Sequence, residues 1–500
     1  MRISDLVKDL SVRLPPGVGS VDVRGLTHDS RQAGPGDLFV AVPGENFDGR
    51  RFAPQAAAQG AAAVLGRGEA PESLTIPWLG ADDPRSLLGP LSARLFDHPD
   101  EQVQLVGVTG TNGKSTIVTL LAEVLSTTGL ATGSLGTIGY FFQGQSFSAP
   151  SDAGLRTTPE APILFRVLDG MRREGAAAIA MEVSSHALSL GRVDGARYDV
   201  ALFTNLTHDH LDFHGDMENY FEAKRRLFDR LKPSGTAVVH LGDPWGRRLA
   251  TELAGSVPRL ITFGPGGDVS VEDSVLDLEG IRGRFRTPRG DLPFSSSLLG
   301  AYNLENLLAV MAVVEALELP HDLVAQGIAE ATTVQGRLEK VDAGQDFPAL
   351  VDYAHTPAAL ESALNSLRKI SDRQIAVVFG CGGDRDRDKR PLMGEIAGRL
   401  AALPVATSDN PRGEDPMAIL KAVENGLKQS ANPAYRLVPD RREAIRGAVA
   451  VAAGRPDWVV LVAGKGHEEE QIIGDQKLPF SDRDEIRQAI EALSLAGGRR

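Results

Sequence analysis

Apolar and polar positions alternate along this chain in two recurring ways. Apolar runs of roughly four to eight residues bounded by Gly, Pro or Asn read as buried strands, and apolar residues spaced three and four apart read as helices packed on one face. In the first hundred residues, Leu38–Val42 reads as a strand closed by Pro43 and Gly44, within a turn-rich stretch over 29–52. Farther on, Gln102–Val108 predicts a strand, Lys114–Leu125 a helix, Ala177–Val183 and Asp199–Asn205 two more strands, and Glu218–Leu231 a helix. Asp268–Phe294 has Gly and Pro breaks with short alternations and predicts a β excursion; Asn303–Leu317 and His321–Ala331 predict two closing helices. Past 336 the pattern resumes, with strands expected at Ala349–Asp352, Ile375–Phe379, Val405–Thr407 and Trp458–Val462 and helices between them.

Strands alternating with helices predict a largely parallel sheet covered on both faces. The expected fold is α/β in three domains, a number that suits 500 residues. These are a small N-terminal unit over 1–100, a central mostly parallel sheet flanked by helices over 101–335, and a Rossmann-like C-terminal domain over 336–500. No internal repeat or low-complexity stretch interrupts them.

Charge narrows the possible partners. Lys plus Arg is 53 and Asp plus Glu is 66, a formal charge of −13. A chain this acidic lacks the basic surface that gives general nucleic-acid binding its affinity. Anionic small ligands stay open, because a few placed cations and backbone amides suffice to hold them. The single cysteine, Cys381, permits no internal disulfide. The N-terminal MRISDLVKDLSVRL carries charges at Arg2, Asp5, Lys8 and Asp9 and no signal-type apolar core. No apolar run reaches membrane-spanning length, so a cytoplasmic location without membrane partners is expected.

The strongest motif is VGVTGTNGKST, Val106 to Thr116. A strand runs into a Gly-rich turn and a helix opens at Lys114, the context in which backbone amides face phosphate oxygens. Gly110, Thr111, Asn112 and Gly113 form the loop, Lys114 reaches the outer phosphates, and Ser115 and Thr116 follow, with the Ser115 hydroxyl suited to magnesium. The first glycine of the standard pattern would fall at Val108, with Gly107 one place out of register, so this is a variant loop. A phosphate loop specifies a nucleotide and not a reaction; kinase, GTPase switch, motor and ligase all remain open.

A second cluster follows two apolar strands: Glu182 in AIAMEVSSHAL, then His208, Asp209, His210 and Asp212 in FTNLTHDHLDFHGD. Both lie at carboxyl ends of expected strands, where open α/β sheets bind ligands, and suggest a magnesium site. Lys224, beside Arg225 and Arg226, reads on its own as part of a solvated helix face.

Ten ordered segments bring a resemblance. They are DSR at 29–31, GDLFVAVPG at 36–44, GTNGKST at 110–116, RTTPE at 156–160, MEVSSHAL at 181–188, FTNLTHDHLDFHG at 203–215, DYAHTP at 352–357, GCGGDRD at 380–386, DNPR at 409–412 and AGKGHE at 463–468. Together they span nearly the whole chain, which resembles the Mur ligases of peptidoglycan synthesis, in particular members that add diaminopimelate. The resemblance implies that the three domains receive a uridine nucleotide, ATP and an amino acid. It implies a cytoplasmic, monomeric ligase that activates UDP-N-acetylmuramoyl-L-alanyl-D-glutamate as an acyl phosphate and joins it to meso-diaminopimelate.

Residue by residue, Ser30 matches a uridine-nucleotide contact, with His28 and Glu45–Phe47 close by, and Thr157, Thr158, Ser184 and Arg192 match muropeptide contacts. Ser115, Glu182 and His210 match magnesium ligands. Lys224 matches the lysine that carries a carbamate in this family, which turns a cation into a metal-binding carboxylate and displaces the solvated-face reading. Lys114, Lys224, His210 and Glu182 are thereby the expected catalytic set. Asn303, Arg337 and Asp352 match nucleotide contacts. Arg385, Asp409, Asn410, Pro411, Arg412, Gly464 and Glu468 match the amino-acid site. Two positions depart from the family: Leu190 where a Gln is frequent, and Gln335 where a Pro is frequent. A lysine-adding ligase is the nearest alternative, and a nucleotide-dependent binding switch is the alternative from another class. Folylpolyglutamate synthetase shares the ATP chemistry but lacks the first segment.

Overall fold

The computed structural model describes residues 1–44, 48–148, 156–331 and 336–497. The Glu45–Phe47 segment and Gln335 lie outside them.

The N-terminal apolar runs pair into a five-stranded sheet in the order Val12–Arg13, Trp78–Ala81, Ala63–Gly66, Asp37–Ala41, Gly25–Thr27. All neighbours are parallel except the Val12–Arg13 edge. Both faces are covered, so the strands read as continuous apolar runs without alternation. The next sheet has eight strands, ordered Arg259–Phe263, Leu231–His240, Tyr198–Phe203, Gln104–Thr109, Ala178–Glu182, Thr132–Gly136, Gly139–Phe142, Gln145–Ser146. At its centre three strands run parallel, with Phe203 opposite Thr109 and Glu182 opposite Val108. Their carboxyl ends therefore open side by side, and the loops they feed carry the phosphate motif, the SSHAL turn and the His/Asp cluster.

Helix Lys114–Thr127 buries Ile117, Val118, Leu120, Leu121, Val124 and Leu125, one stripe at helical spacing. The first hundred residues and the central sheet share one apolar core running from Ile3 to Leu253. By contacts the chain divides into two units: Met1–Glu272 with Phe285–Leu292 and Asn306–Ile328, and Asp273–Arg284 with Pro293–Glu305 and Ala329–Arg500. The second unit holds a six-stranded sheet ordered Glu339–Lys340, Ala349–Asp352, Trp458–Ala463, Gln374–Cys381, Leu403–Ser408, Arg436–Leu437. All its pairs are parallel except the first.

The expected β excursion is a three-stranded sheet of Ser270–Leu276, Ile281–Arg286 and Leu292–Ser296. One expected element needs correction. The helix expected over Glu218–Leu231 ends at Arg225, a short 3-10 turn occupies Phe228–Arg230, and Leu231 begins a strand. The apolar residues Leu227, Phe228 and Leu231 mimic a helical stripe but pack as a corner leading into the sheet. Among the described residues no helix is long and apolar enough to cross a membrane.

Candidate functional site

Gly110 follows the strand Gln104–Thr109 with φ +149°, and a Cβ there would lie 1.8 Å from Thr204 Oγ1. Only glycine fits, and the close approach lets Thr204 Oγ1 donate to the Asn112 carbonyl (2.7 Å). The Asn112 N–H in turn donates to Asn205 Oδ1 (2.9 Å), and the Thr111 N–H to the Asn205 carbonyl (2.9 Å). The loop is thus tied to the end of the neighbouring strand, with the N-terminus of helix Lys114–Thr127 behind it.

Two lysines meet at this loop. Lys114 Nζ donates to the carbonyls of Gly110 (3.0 Å) and Thr111 (2.8 Å). Lys224 Nζ donates to the same Gly110 carbonyl (2.7 Å) and lies 4.6 Å from the centre of the Tyr220 ring. Lys224 is 1% exposed, which overturns its reading as part of a solvated face. It shares one helix stripe with buried Tyr220, Phe221 and Ala223. Burial, and then the nearby Lys114 charge, push its pKa well below the ordinary lysine value, favouring the neutral amine. Tyr220, which the sequence reading did not single out, also has its hydroxyl 3.2 Å from Thr111 Oγ1 and its ring stacked on His214.

Glu182 is buried at the end of its strand. Its carboxylate accepts from the Thr137 N–H (2.8 Å) and hydroxyl (3.3 Å), and Thr137 Oγ1 lies 2.9 Å from Thr157 Oγ1. Thr158 Oγ1 donates to the Glu182 carbonyl (2.9 Å) and accepts from the Ser184 N–H (3.0 Å). Ser184 also caps the helix Ser185–Ser189. Four expected residues (Thr157, Thr158, Glu182, Ser184) are therefore joined in one network centred on Glu182, with Thr157 linked through Thr137, whose segment carries no motif. His210 has φ +52° and is half-exposed, its ring edge-on to His186 at 4.8 Å. Ser115 and Thr116 lie in the first turn of the loop's helix. Among the described residues no three His, Cys, Asp or Glu side chains group as a metal cage. The expected set supplies two, Glu182 and His210.

Arg192 Nε lies 2.9 Å from Glu160, and Arg156 (2.8 Å) and Arg85 (3.5 Å) approach the same buried carboxylate. Arg85 also donates to the carbonyl of Leu190 (3.0 Å), which stands where the family often has Gln. Three guanidiniums on one carboxylate leave an excess of positive charge. Arg156 and Glu160 line a cavity of about 630 Å³ with His28, Arg31 and Ser30, whose hydroxyl donates to Gln55 Oε1 (2.9 Å). The cavity has the volume of a small-molecule site.

In the second unit, Asp352 ends its strand with both carboxylate oxygens accepting, from the Leu338 (2.8 Å) and Ala354 (2.9 Å) N–H groups. Burial raises its pKa. The Arg337 guanidinium lies over the Tyr353 ring at 5.2 Å, and buried Asn303 donates to the Leu299 carbonyl (2.8 Å).

The loops after Leu403–Ser408, Gln374–Cys381 and Trp458–Ala463 come together. Asn410 Nδ2 donates to Glu468 Oε2 (3.0 Å), and the Gly383 N–H donates to the Asn410 carbonyl (2.9 Å). A Cβ at Gly383 would meet the Pro411 carbonyl at 1.8 Å, so only glycine permits this packing. Arg412, at φ +50°, sends Nη1 to the Gly383 carbonyl (2.9 Å), and its backbone pairs with Ile472 and Gly474 of the hairpin Glu470–Pro479. Arg385 is exposed on the GDRD loop, and the Gly464 N–H donates to the Asp352 carbonyl (3.0 Å).

Glu414 latches two of these loops. It accepts from the Asp384 N–H (2.7 Å) and pairs with buried Arg390 (2.8 Å). The Arg390 hydrogen bond, with the Asp384 amide, pulls its pKa from 4.5 to about 2. A carboxylate depressed on folding stabilises the fold fully above its unfolded pKa and loses that contribution as pH falls through the folded value. We therefore expect the wild-type advantage over Glu414→Gln in urea melts to be constant from neutrality down to about pH 5. It should shrink between the 4.5 and about 2 of the two states. An advantage that grows on acidification counts against the latch.

Three family profiles cover most of the chain: Mur ligase family, catalytic domain over 22–93; Mur ligase middle domain over 108–314; and Mur ligase, glutamate ligase domain over 336–466. A protein from Geobacter metallireducens named UDP-N-acetylmuramoyl-L-alanyl-D-glutamate--2,6-diaminopimelate ligase is 42% identical, covering 99% of this chain and 100% of that one. A protein of the same name from Streptomyces coelicolor is 42% identical over 98% of this chain and 96% of its own. A solved ligase of that name superposes with TM-score 0.74 at 30% identity, covering 99% of both chains. Mycobacterium tuberculosis folylpolyglutamate synthase shares the fold at TM-score 0.61 and 18% identity, covering 76% of this chain and 92% of its own. With profiles matching in order from residue 22 to 466 and relatives above 40% identity over nearly its whole length, this chain belongs to the Mur ligase family.

Proposed function

We propose that this chain is a cytoplasmic, monomeric, ATP-dependent ligase joining meso-2,6-diaminopimelate to UDP-N-acetylmuramoyl-L-alanyl-D-glutamate. The observation that carries the chemistry is the convergence of Lys114 and buried Lys224 on one carbonyl of the loop that leads into a helix N-terminus. Two amines at such a place suit a polyphosphate and a carbamate. In this reading residues 1–100 hold the uridine nucleotide, 101–335 hold ATP and 336–500 hold the amino acid.

The first step makes a poor electrophile reactive. The terminal carboxylate oxygen of the dipeptide attacks the γ-phosphorus of ATP, and ADP leaves. The neutral amine of diaminopimelate attacks the acyl carbon of the resulting acyl phosphate, a proton is lost, and phosphate departs. Lys114 and the loop amides offset the charge that crowds around the transferred phosphoryl group. Lys224, whose burial lowers its pKa and so favours the neutral amine, can add carbon dioxide: an N–C bond forms and a proton leaves. As an ammonium beside Lys114 it would repel a metal; as a carbamate it would add oxygens to those of Glu182 and Ser115 and the imidazole nitrogen of His210, a set that would suit magnesium. Magnesium there would supply charge neutralisation at the phosphates. Ser30 and the 630 Å³ cavity would take the uridine nucleotide, with Thr157, Thr158, Ser184 and Arg192 on the peptide. Asn303, Arg337 and Asp352 remain the nucleotide residues proposed in the second unit.

The choice of diaminopimelate is supported by the names of the full-length relatives and by Arg412. Diaminopimelate carries a second carboxylate that lysine lacks, and a guanidinium can grip it with two parallel hydrogen bonds. Arg412, whose backbone is paired with the hairpin, would supply that grip, and Arg385, Asp409, Asn410, Pro411, Gly464 and Glu468 would form the rest of the site. Losing one partner of such a pair costs roughly 2–5 kcal/mol. Arg412→Ala should therefore raise the KM for diaminopimelate by about two orders of magnitude or more, with the KM for ATP unchanged. Normal diaminopimelate kinetics in that variant would remove Arg412 from the site.

Mass analysis of the product formed from ATP, the UDP-dipeptide and an equal mixture of diaminopimelate and lysine tests the whole reading. Diaminopimelate should be incorporated almost alone. Lysine incorporation would make this a lysine-adding ligase, and ATP hydrolysis indifferent to both substrates would make it a switch.

A further inference from the structure

Lys465 lies inside the AGKGHE segment and has no role in the proposed site. Its side chain is 0% exposed, yet it carries an ammonium surrounded by polar groups. Nζ is 2.9 Å from Asn410 Oδ1, 3.0 Å from Glu468 Oε2 and 3.6 Å from Asp409 Oδ1. Asn410 Oδ1 also accepts from the Ile472 N–H (3.0 Å), and the Asp409 carbonyl accepts from Gln471 Nε2 (2.8 Å). One buried cation thus ties the DNPR loop to the loop that follows strand Trp458–Ala463.

We propose that Lys465 is a positioning residue for the incoming amino acid, acting through Glu468 and Asn410. The assignment rests on the proposed placement of those two residues in the amino-acid site. Glu468 Oε2 receives both available donors, Lys465 Nζ and Asn410 Nδ2 at 3.0 Å, which fixes the rotamer. Oε1 is left to accept from a ligand ammonium, and the Glu468 side chain is 31% exposed. Charge points the same way. Lys465 balances one of the two carboxylates, Asp409 and Glu468, so the cluster keeps one negative charge to meet an amine. A short, compact ammonium suits three acceptors on different sides better than a flat guanidinium does. Binding sites held this way lose affinity when the support goes, because the ligand must then order the groups itself.

The test uses the full-length enzyme with all three substrates. Lys465→Met should raise the KM for diaminopimelate at least tenfold, with the KM values for ATP and UDP-dipeptide within twofold of wild type. In a Glu468→Gln background, adding Lys465→Met should cost less than twofold more, because the lysine acts through that carboxylate. Should Lys465→Met fail to fold, Lys465→Gln, neutral and one atom shorter so that it cannot hold all three acceptors, is read by the same two criteria. Equal loss toward all three substrates, unchanged kinetics, or additive costs in the double variant would overturn the proposal. If wild type formed no diaminopimelate product at all, the functional reading would fall instead, which the wild-type reaction shows separately.

Discussion

Replacing Lys114 with alanine will lower ligation by about three orders of magnitude or more while leaving the unfolding transition in place. One preorganised charge contact in a transition state is worth roughly two to three orders of magnitude in rate, and the role proposed for Lys114 is at a phosphoryl group whose oxygens all carry charge. Its ammonium is held by the Gly110 and Thr111 carbonyls, so it is aimed before any ligand arrives. Lys224→Ala should fail as completely for a different reason. It removes the amine of the proposed carbamate, and small added carboxylates should restore part of the activity of this variant alone. The two lysines share a carbonyl but differ in burial, and rescue separates their roles: an added carboxylate can stand in for a carbamate but not for the Lys114 ammonium. Near-wild-type turnover in Lys114→Ala would remove the phosphate assignment. A fully active Lys224→Ala would remove the carbamate.

The fold was legible wherever periodicity and burial coincide. The strands at Ala178–Glu182, Ala349–Asp352 and Trp458–Ala463 lie within a residue or so of their expected bounds, because strands buried on both faces read as apolar runs, here with a polar residue only at the carboxyl end of the first two. The helix expected to reach Leu231 failed because apolar residues continue at helical spacing through a corner that the chain turns. Lys224 misled the reading of single residues because a charge was taken as a sign of solvent. Its phase was the better signal, four residues after Tyr220 on the buried stripe. Thr137 and Tyr220 were missed for a reason built into α/β folds: they reach Glu182 and the phosphate loop across strands and helices distant in sequence, and no local spacing records that. The Arg85, Arg156 and Glu160 cluster was half visible, since RTTPE was quoted, but Arg85 enters from a helix 71 residues before Arg156.

Beneath the proposed amino-acid site lies a charge pair with no motif, and cutting it should cost about as much as any single change in the second unit. Arg441 and Asp482 side chains are both 0% exposed. Nε and Nη2 donate to the two carboxylate oxygens at 2.7 Å each, a bidentate pair. The same guanidinium donates to the Ala463 carbonyl (3.0 Å) and approaches that of Ser408 (3.5 Å). Those are the last residues of two strands, immediately before Gly464 and Asp409, so the pair fixes the points from which both site loops depart. Asp482→Ala leaves a buried guanidinium uncompensated, which typically costs about 3–5 kcal/mol. Urea unfolding should register that loss, and diaminopimelate affinity should fall with it. Replacing both partners, Arg441→Met with Asp482→Leu, removes the stranded charge and should recover much of the stability, as apolar substitutes for buried pairs often do. It cannot restore the hydrogen bond to Ala463, so the KM for diaminopimelate should stay raised in the stable double variant. Recovery of both properties together would mean that the pair holds the core alone; a cost below about 1 kcal/mol for Asp482→Ala, the range of exposed pairs, would mean that it is not buried in solution.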